Sequence, residues 1–169
     1  SSSIHRKKLL KQLKINFQAI SPNIDETRKK NESINNFVKR LSVEKATKVA
    51  NKVNNSIVIG SDEVAVVGNK ILGKPGTIQN ARKQLKFISG KDVVFKTGMC
   101  VIDTNSMKKF TCIVHYKIKM KKLNNIQINN YIKKENMLNC AAGIKIEGLA
   151  ISLIEKTTGY DPTSIIGLP

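Results

Sequence analysis

Residues 57–75 constrain the fold most, because a short apolar run there leads directly into two acidic side chains. The run Ile57-Val58-Ile59 is β-branched throughout, which predicts a strand that is buried on both faces. It is followed by Gly60-Ser61-Asp62-Glu63, where we expect the strand to end. Two adjacent carboxylates at the end of a buried strand are costly unless a cation lies against them. The stretch therefore predicts a cation beside this acidic pair.

The same stretch continues into a hairpin that brings in a lysine. A second apolar run, residues 64–67, is followed by a turn at Gly68-Asn69 and then by Gly73-Lys74-Pro75. Acidic groups at a strand end, with Lys74 on a turn, suit a site for a metal ion and phosphates. The alternative is an ordinary hairpin with charged ends, and this stretch alone does not decide between the two.

Length and charge limit the class of protein. The chain has 169 residues, which is enough for a hydrophobic core, and we assign residues 1–169 to a single domain. The formal net charge of +18 raises nucleic acid, anionic membranes and small polyanions as partners. The lysines are scattered over all segments, which favours a solvated surface over a nucleic-acid groove. An aromatic content of 5% without tryptophan also argues against a surface on which bases stack.

The cysteines and the apolar runs indicate a cytoplasmic protein. The three cysteines, Cys100, Cys112 and Cys140, are far apart and lack the spacing of metal ligands. We expect reduced thiols inside a cytoplasmic protein. No apolar run approaches the length of a membrane span and no signal-peptide pattern is present, so no membrane partner is expected.

Hydrophobic periodicity predicts a mixed α/β order of elements with antiparallel hairpins in the second half. Ser1-Ser2-Ser3 precedes Ile4-His5-Arg6-Lys7 as a loop that enters a helix. Free N–H groups, hydroxyls and positive charge suit phosphate there, although a serine at a helix start is also a common plain N-cap. Further helices are predicted over residues 33–53, 77–89 and 126–134. Further strands are predicted over residues 15–20, 93–102, 110–120 and 149–154.

No familiar catalytic motif explains the charged residues. The sequence has no phosphate-binding loop, no dinucleotide fingerprint and no serine–histidine–aspartate set. Hydrolysis of a phosphoanhydride uses carboxylates, which hold a divalent cation and orient or deprotonate water, and cations, which neutralise the phosphates. The sequence offers both types in Arg6, Glu26, Lys45, Asp62, Glu63, Lys74 and Glu147.

Short motifs in a fixed order give a family resemblance. The sequence resembles the Maf family of nucleotide pyrophosphatases over nearly its whole length. Residues 130–135, residues 138–141 and Gly159-Tyr160-Asp161-Pro162 are similar to the 7-methyl-GTP branch, more than to the dTTP/UTP branch. The other matching pieces are Ser1-Ser2-Ser3 with Arg6-Lys7, Asp25-Glu26-Thr27, Glu44-Lys45-Ala46, Ile59-Gly60-Ser61-Asp62, Gly73-Lys74-Pro75, Ser89-Gly90, Thr97-Gly98, Glu147-Gly148 and Gly167-Leu168-Pro169.

The resemblance implies a fold and a reaction. The implied fold is a mixed, twisted central sheet with flanking helices, similar to that of inosine triphosphatases, with a nucleotide cleft between two lobes. The implied reaction is the hydrolysis of a nucleoside triphosphate, expected to be 7-methyl-GTP, to the monophosphate and pyrophosphate, assisted by Mg²⁺ or Mn²⁺. Its implied purpose is to remove modified nucleotides from the pool.

The resemblance also assigns residues to roles. Asp62 is the implied proton acceptor, and Glu26 with Asp62 the implied metal ligands. The phosphates are implied to contact Ser2, Ser3, Arg6, Lys45 and Lys74. Family members are commonly dimers, so a homodimer is among the expected states, whereas nucleic acid is not an expected partner. The family's strand before the first serine and its helix after Gly167-Leu168-Pro169 are not part of the printed sequence.

Three positions are implied to select the base: His5, Glu63 and Glu147. In the 7-methyl-GTP branch these are typically tryptophan, glutamine and glutamate, so Glu147 agrees while His5 and Glu63 depart. A histidine stacks less well than a tryptophan on a cationic purine, and Glu63 exchanges an amide donor for a charge. The alternative functions are therefore a catalytically impaired nucleotide-binding relative and a basic nucleic-acid-binding module.

Overall fold

The computed structural model describes residues 3–169. The chain divides into two compact units. Unit 1 comprises Ser1–Glu63, Lys96–Val114 and Thr163–Pro169, and unit 2 comprises Val64–Phe95 and His115–Pro162. The assignment of residues 1–169 to one domain stays a prediction, as does the nucleotide cleft between two lobes.

The chain contains both helices and strands, and the predicted mixed α/β fold is confirmed. The strands form a five-stranded sheet in the order β2-β1-β3-β4-β5, in which β2 pairs antiparallel with β1, and β5 pairs antiparallel with β4. In the described residues the helices are α1 (Ile4–Gln12), α2 (Ile34–Ala50), α3 (Ile78–Ile88) and α4 (Asn125–Lys134). The strands are β1 (Ile57–Val67), β2 (Lys70–Leu72), β3 (Asp92–Asp103), β4 (Lys109–Met120) and β5 (Ile154–Thr158).

In unit 1, α2 packs its apolar face against the strand segments of the same unit. The helix begins after Ser33, whose side chain accepts a hydrogen bond from the backbone of Asn36, and it ends at Ala50 rather than near residue 53. Its buried alanines lie in one cluster with Val58, Cys100 and Ile102. A Cβ on Gly60 would lie only 2.6 Å from the Ala46 backbone nitrogen, so this glycine allows β1 to lie directly against α2.

In unit 2, α3 and α4 pack against each other and against the short 3₁₀ segments Ala141–Gly143 and Leu149–Leu153. Thr77 caps α3 as predicted, and Asn124 caps α4 through a capping box with Gln127. The hairpin between β1 and β2 turns at Gly68, whose φ of +57° favours glycine. These local signals explain why the helices of unit 2 begin where the sequence predicts.

Strand β1 corrects the prediction in two ways. Of its first three residues only Val58 is buried, whereas Ile57 and Ile59 are 64% and 38% exposed. The strand also does not end at Gly60-Ser61-Asp62-Glu63 but continues to Val67. Polar groups can remain inside a strand when hydrogen bonds and ion pairs satisfy them. The two acids therefore lie in the middle of a strand rather than at its end.

Two predicted strands are wrong. Residues 15–20 form no strand, and Ile15 is 52% exposed. Residues 149–153 form a 3₁₀ helix, so that β5 covers only Ile154–Thr158. Short apolar patterns become strands only where a neighbouring strand and a buried face are available. The other predicted helices and strands are confirmed within a few residues, and no described helix is long and apolar enough to cross a membrane.

Candidate functional site

The ammonium of Lys45 is held by two of the predicted acidic residues in unit 1. Its Nζ lies 2.7 Å from Asp62 Oδ1 and 2.8 Å from Glu26 Oε1. The side chains of Lys45 and Asp62 are 13% and 10% exposed, whereas that of Glu26 is 59% exposed. A buried carboxylate needs a close counter-charge. Lys45 therefore compensates Asp62 in the interior and binds Glu26 at the surface.

The packing of β1 on α2 brings Asp62 to Lys45. Lys45 precedes Ala46 on α2, and the backbone of Ala46 lies against Gly60. Side chains alternate along a strand, so Gly60 and Asp62 lie on the same face of β1. The missing side chain at Gly60 thus lets the helix approach closely enough for Lys45 to reach the carboxylate.

Glu26 lies in an irregular segment that a charged network fastens to α2. Arg40 donates hydrogen bonds to Glu32 Oε1 at 2.7 Å and to the Thr27 backbone oxygen at 3.0 Å. The Lys29 backbone donates to Glu32 Oε2 at 3.1 Å. The Arg40 hydrogen bond, the largest of several causes, lowers the pKa of Glu32 to about 2. Because Thr27 is the next residue after Glu26, the network fixes the approach of Glu26 to Lys45.

Arg6 on α1 lies close to the same acids. Its Nε donates to the Gly167 backbone oxygen at 2.7 Å and its Nη1 donates to the Ser61 backbone oxygen at 2.8 Å. The Ser61 hydroxyl donates to the same Gly167 oxygen at 2.7 Å. Burial lowers the pKa of Arg6, and nearby carboxylates, Glu63 foremost, oppose that shift, so the guanidinium stays charged. Its phosphate-binding role stays a prediction, and its backbone contacts are an additional structural role.

Glu63 lies beside a buried hydroxyl group of β3. Thr97 Oγ1 is 3.1 Å from Glu63 Oε2 and 2.7 Å from the Ser164 backbone oxygen. Thr97 itself is 0% exposed. One hydroxyl hydrogen thus faces two acceptor oxygens. The Glu63 carboxyl group therefore lies beside this hydroxyl, and the proposed role of Glu63 in base selection stays a prediction.

The residues at the start of the chain are only partly described. Ser3 is the N-cap of α1, where its Oγ accepts a hydrogen bond from Arg6 N at 3.4 Å. His5 lies in the first turn of α1 and is half-buried. Ser2 lies outside the described residues. The geometry at Ser3 is that of a plain N-cap, and contacts of these residues with phosphate or base stay predictions.

Lys74 lies in unit 2, on the segment that follows β2, and its side chain is exposed. Backbone hydrogen bonds fix this segment on both sides of the lysine. Ala142 N donates to Gly73 O at 3.1 Å, and Gly76 N donates to Leu138 O at 3.1 Å. The backbone of Lys74 is therefore held in place while its ammonium faces solvent, as a phosphate-binding lysine requires.

Glu147 also belongs to unit 2 and is exposed. The segment before it is tied to α4 by Tyr131, whose hydroxyl donates to Gly143 O at 3.0 Å and accepts from Lys145 N at 3.1 Å. Burial, the main cause, raises the pKa of Tyr131 well above its ordinary value, so the hydroxyl keeps its hydrogen. The end of α4 thus fixes the segment that leads to Glu147.

The predicted metal ligands, Glu26 and Asp62, are carboxylates, the side-chain type that holds a divalent cation together with a substrate. Glu26 and Asp62 direct oxygens to one point, the position of Lys45 Nζ. Among the described residues, no group of three or more His, Cys, Asp or Glu side chains could hold a metal ion. Mg²⁺ is commonly held by one or two carboxylates together with substrate phosphates. The donor set matches that pattern, and the metal stays a prediction.

An open cavity of about 440 Å³ in unit 1 is lined by residues other than these acids: Glu32, Asn36, Lys39, Arg40, Val43 and Glu44. Both of its acids are already engaged by Arg40, at 2.7 and 3.1 Å. The cavity is therefore part of the network that supports the Glu26 segment. We place the chemistry at Lys45 and Asp62 instead.

Several residues that hold the site were not predicted. Arg40 and Glu32 fasten the Glu26 segment, while Ser61 and Thr97 bond to the segment around Ser164 and Gly167. The available signals were an Arg40–Glu44 pair at i, i+4 spacing and the short family motifs in which Ser61 and Thr97 occur. Neither signal distinguishes a supporting residue from a solvated one without the distant contacts.

Comparison with known proteins gives a consistent assignment. The profile of the Maf family, described as Maf-like protein, matches residues 1–169. A Pseudoalteromonas translucida protein named 7-methyl-GTP pyrophosphatase is 46% identical over 169 residues, which are 100% of this chain and 84% of that protein. Proteins of the same name from Colwellia psychrerythraea and Pseudomonas aeruginosa are 43% and 41% identical over 169 residues, with 84% and 88% of those proteins covered. The chain therefore belongs to the Maf family.

Proposed function

We propose that the protein hydrolyses a nucleoside triphosphate, with 7-methyl-GTP as preferred substrate, to the monophosphate and pyrophosphate. The observation that carries the proposal is the Lys45 ammonium, which binds a buried Asp62 and an exposed Glu26. The relatives named 7-methyl-GTP pyrophosphatase support the substrate. Their names also favour the enzyme over a nucleic-acid-binding module.

In the proposed reaction, Asp62 accepts a proton from a water molecule that attacks the α-phosphorus. The bond from that phosphorus to the bridging oxygen breaks, and pyrophosphate leaves with the electron pair. Lys45, Arg6 and Lys74 stabilise the negative charge on the phosphates. Lys45 can exchange its contact with the exposed Glu26 for a phosphate oxygen. Mg²⁺ or Mn²⁺ held by Glu26 and Asp62 would supply further charge neutralisation and orient the water.

Base selection is assigned to His5, Glu63 and Glu147. A carboxylate can accept the N1 and N2 hydrogens of guanine, and it gains Coulomb attraction when N7 carries a methyl group and the base is cationic. The Glu63 carboxyl group lies 3.1 Å from the Thr97 hydroxyl. A neutral histidine offers a smaller stacking surface than tryptophan, so the carboxylates carry most of the preference.

The test is pyrophosphate release from a panel of canonical and methylated triphosphates with Mg²⁺ or Mn²⁺. We expect turnover of 7-methyl-GTP, and Asp62→Asn to lower it about 10³-fold because the proton acceptor is lost. Asp92→Asn is the matched control, since Asp92 is 51% exposed and contacts Lys117 and Lys119 only at 3.6 and 3.9 Å. It should leave turnover unchanged, and circular dichroism should find both variants folded.

Other outcomes separate the alternatives. Absence of turnover on every nucleotide, in a folded protein, overturns the proposed activity. Nucleotide binding without turnover identifies the impaired relative. Affinity for nucleic acid that falls steeply with salt and does not change in Asp62→Asn identifies the nucleic-acid-binding module. The cytoplasmic location, the removal of modified nucleotides and the homodimer are proposed with the activity, and light scattering tests the dimer.

A further inference from the structure

A second ion pair lies at the end of α4 in unit 2, and the proposed reaction does not use it. Lys145 Nζ lies 2.6 Å from Glu135 Oε1, with the two side chains 27% and 10% exposed. Glu135 Oε2 also accepts a hydrogen bond from Leu149 N at 2.8 Å. Lys145 precedes Glu147 and Leu149 follows it. One carboxylate therefore holds the chain on both sides of the proposed base-selecting residue.

The segment between these contacts has little freedom. The Tyr131 hydroxyl bonds to Gly143 O and Lys145 N, so the segment is tied to α4 at its start as well. A Cβ on Gly148 would clash with the Glu135 carboxylate, so any side chain at this position would displace Glu135. The position of Glu147 thus follows from two side chains at the end of one helix.

The ammonium of Lys145 has two anionic neighbours. The hydrogen bond to Glu135 is the largest cause of the raised pKa of Lys145, and Glu147 contributes through space. The same bond lowers the pKa of Glu135. If Glu135 lost its charge, the attraction of Lys145 would shift towards Glu147.

We propose that Glu135 is a positioning residue for base selection. It fixes the segment around Glu147, and it binds the Lys145 ammonium, which would otherwise weaken the attraction between the Glu147 carboxylate and a cationic base. The proposal rests on the proposed function, because it takes a 7-methylated purine as the base and Glu147 as its selector. In this proposal Glu135 acts through Glu147 and not by contact with the substrate.

The experiment measures kcat/KM for 7-methyl-GTP and for GTP and compares their ratio among variants. Glu135→Gln directs the ammonium to Glu147, and the ratio falls about three- to tenfold, mainly through a higher KM for 7-methyl-GTP. Lys145→Met removes the ammonium, so the ratio rises about twofold or more above wild type. In the double variant Lys145→Met restores the ratio to at least the wild-type value.

A purely structural role predicts a different pattern, in which every variant loses activity on both nucleotides in parallel. An unchanged ratio in Glu135→Gln, or no restoration in the double variant, overturns the proposal. If Glu135→Gln does not fold, the Lys145→Met variant alone tests the proposal. A ratio that falls or does not change in this variant overturns the proposal.

Two matched controls come from the same unit. Glu155→Gln and Lys133→Met change the same residue types at exposed positions, and the ratio should not change in either. The wild-type result separates the two proposals. Hydrolysis of neither nucleotide overturns the proposed function and this inference with it, whereas hydrolysis with ratios that no variant changes overturns only the role of Glu135.

Discussion

Each of the two units contains a lysine with two acidic neighbours, and the acids are engaged differently. In unit 1, Lys45 Nζ contacts both Asp62 and Glu26, at 2.7 and 2.8 Å. One of these acids is buried and the other is exposed, so a phosphate or a metal ion can replace the exposed contact without leaving the buried charge alone. A cation shared in this way suits chemistry in which ligands exchange.

In unit 2, the ammonium of Lys145 is committed to one acid. Its contact with Glu135 is 2.6 Å, and the same carboxylate binds the backbone of Leu149. Displacing this lysine would disturb the segment that both residues hold. The comparison indicates that an ion pair can either take part in a reaction or hold a segment in position. Which of the two it does depends on whether the carboxylate also binds backbone.

The largest contrast should be in stability. Lys45→Met leaves the Asp62 carboxylate buried without its counter-charge, so the free energy of unfolding should fall by about 3 kcal/mol. Lys145→Met should cost about 1 kcal/mol, because Glu135 keeps its hydrogen bonds from the Leu149 and Asn136 backbone. Urea unfolding measures both values. Adding Asp62→Asn to Lys45→Met should recover most of the loss, and equal losses in the two single variants would contradict the distinction.

A smaller contrast concerns two glycines that lie against these regions. A Cβ on Gly60 meets the backbone of α2, which cannot move aside, and Gly60→Ala should lower the free energy of unfolding by about 2 kcal/mol. A Cβ on Gly148 meets the Glu135 side chain, which can rotate, so Gly148→Ala should cost about 1 kcal/mol. Gly73→Ala is the control, since nothing lies within 4 Å of that position. A larger loss for Gly148→Ala than for Gly60→Ala would show that the Glu135 carboxylate is as immobile as backbone.

The smallest effect is a pH dependence in unit 1. The pKa of Glu32 is lowered from 4.5 to about 2 in the folded protein, mainly by its hydrogen bond with Arg40. An acidic group whose pKa is lower in the folded protein stabilises the fold above its unfolded pKa. It loses that contribution as the pH falls through its folded pKa. The urea midpoint should therefore decline between about pH 4.5 and about pH 2, and Glu32→Gln should flatten the decline. Glu155→Gln should leave the profile as in the wild type.

Local chemistry made much of the fold predictable. The helix starts at Ser33 and Thr77 and the turn at Gly68 are signals contained in a few residues, and the elements they delimit agree with the structure. The continuation of β1 through Asp62 could not be predicted in this way. It depends on the packing of Gly60 against α2 and on a lysine that is distant in sequence.

The candidate site was likewise only partly predictable from the sequence. Residue types pointed to Arg6, Glu26, Lys45 and Asp62, which the structure brings together in unit 1. Glu135 and Arg40 were not singled out, because their importance lies in backbone groups that only the folded chain places beside them. The strand predicted over residues 15–20 is wrong for the opposite reason. The alternation of apolar and polar residues there is local, but no described strand pairs with this segment.

The contact between Arg6 and Gly167 has a consequence for biosynthesis. These residues are 161 positions apart, and unit 1 is assembled from three separate stretches of the chain. Contacts of such long range form late compared with local ones. During translation the guanidinium therefore lacks one of its backbone acceptors until Gly167 has left the ribosome. A nascent chain can fold its helices early, but the surroundings of Arg6 are complete only after Gly167 has been added.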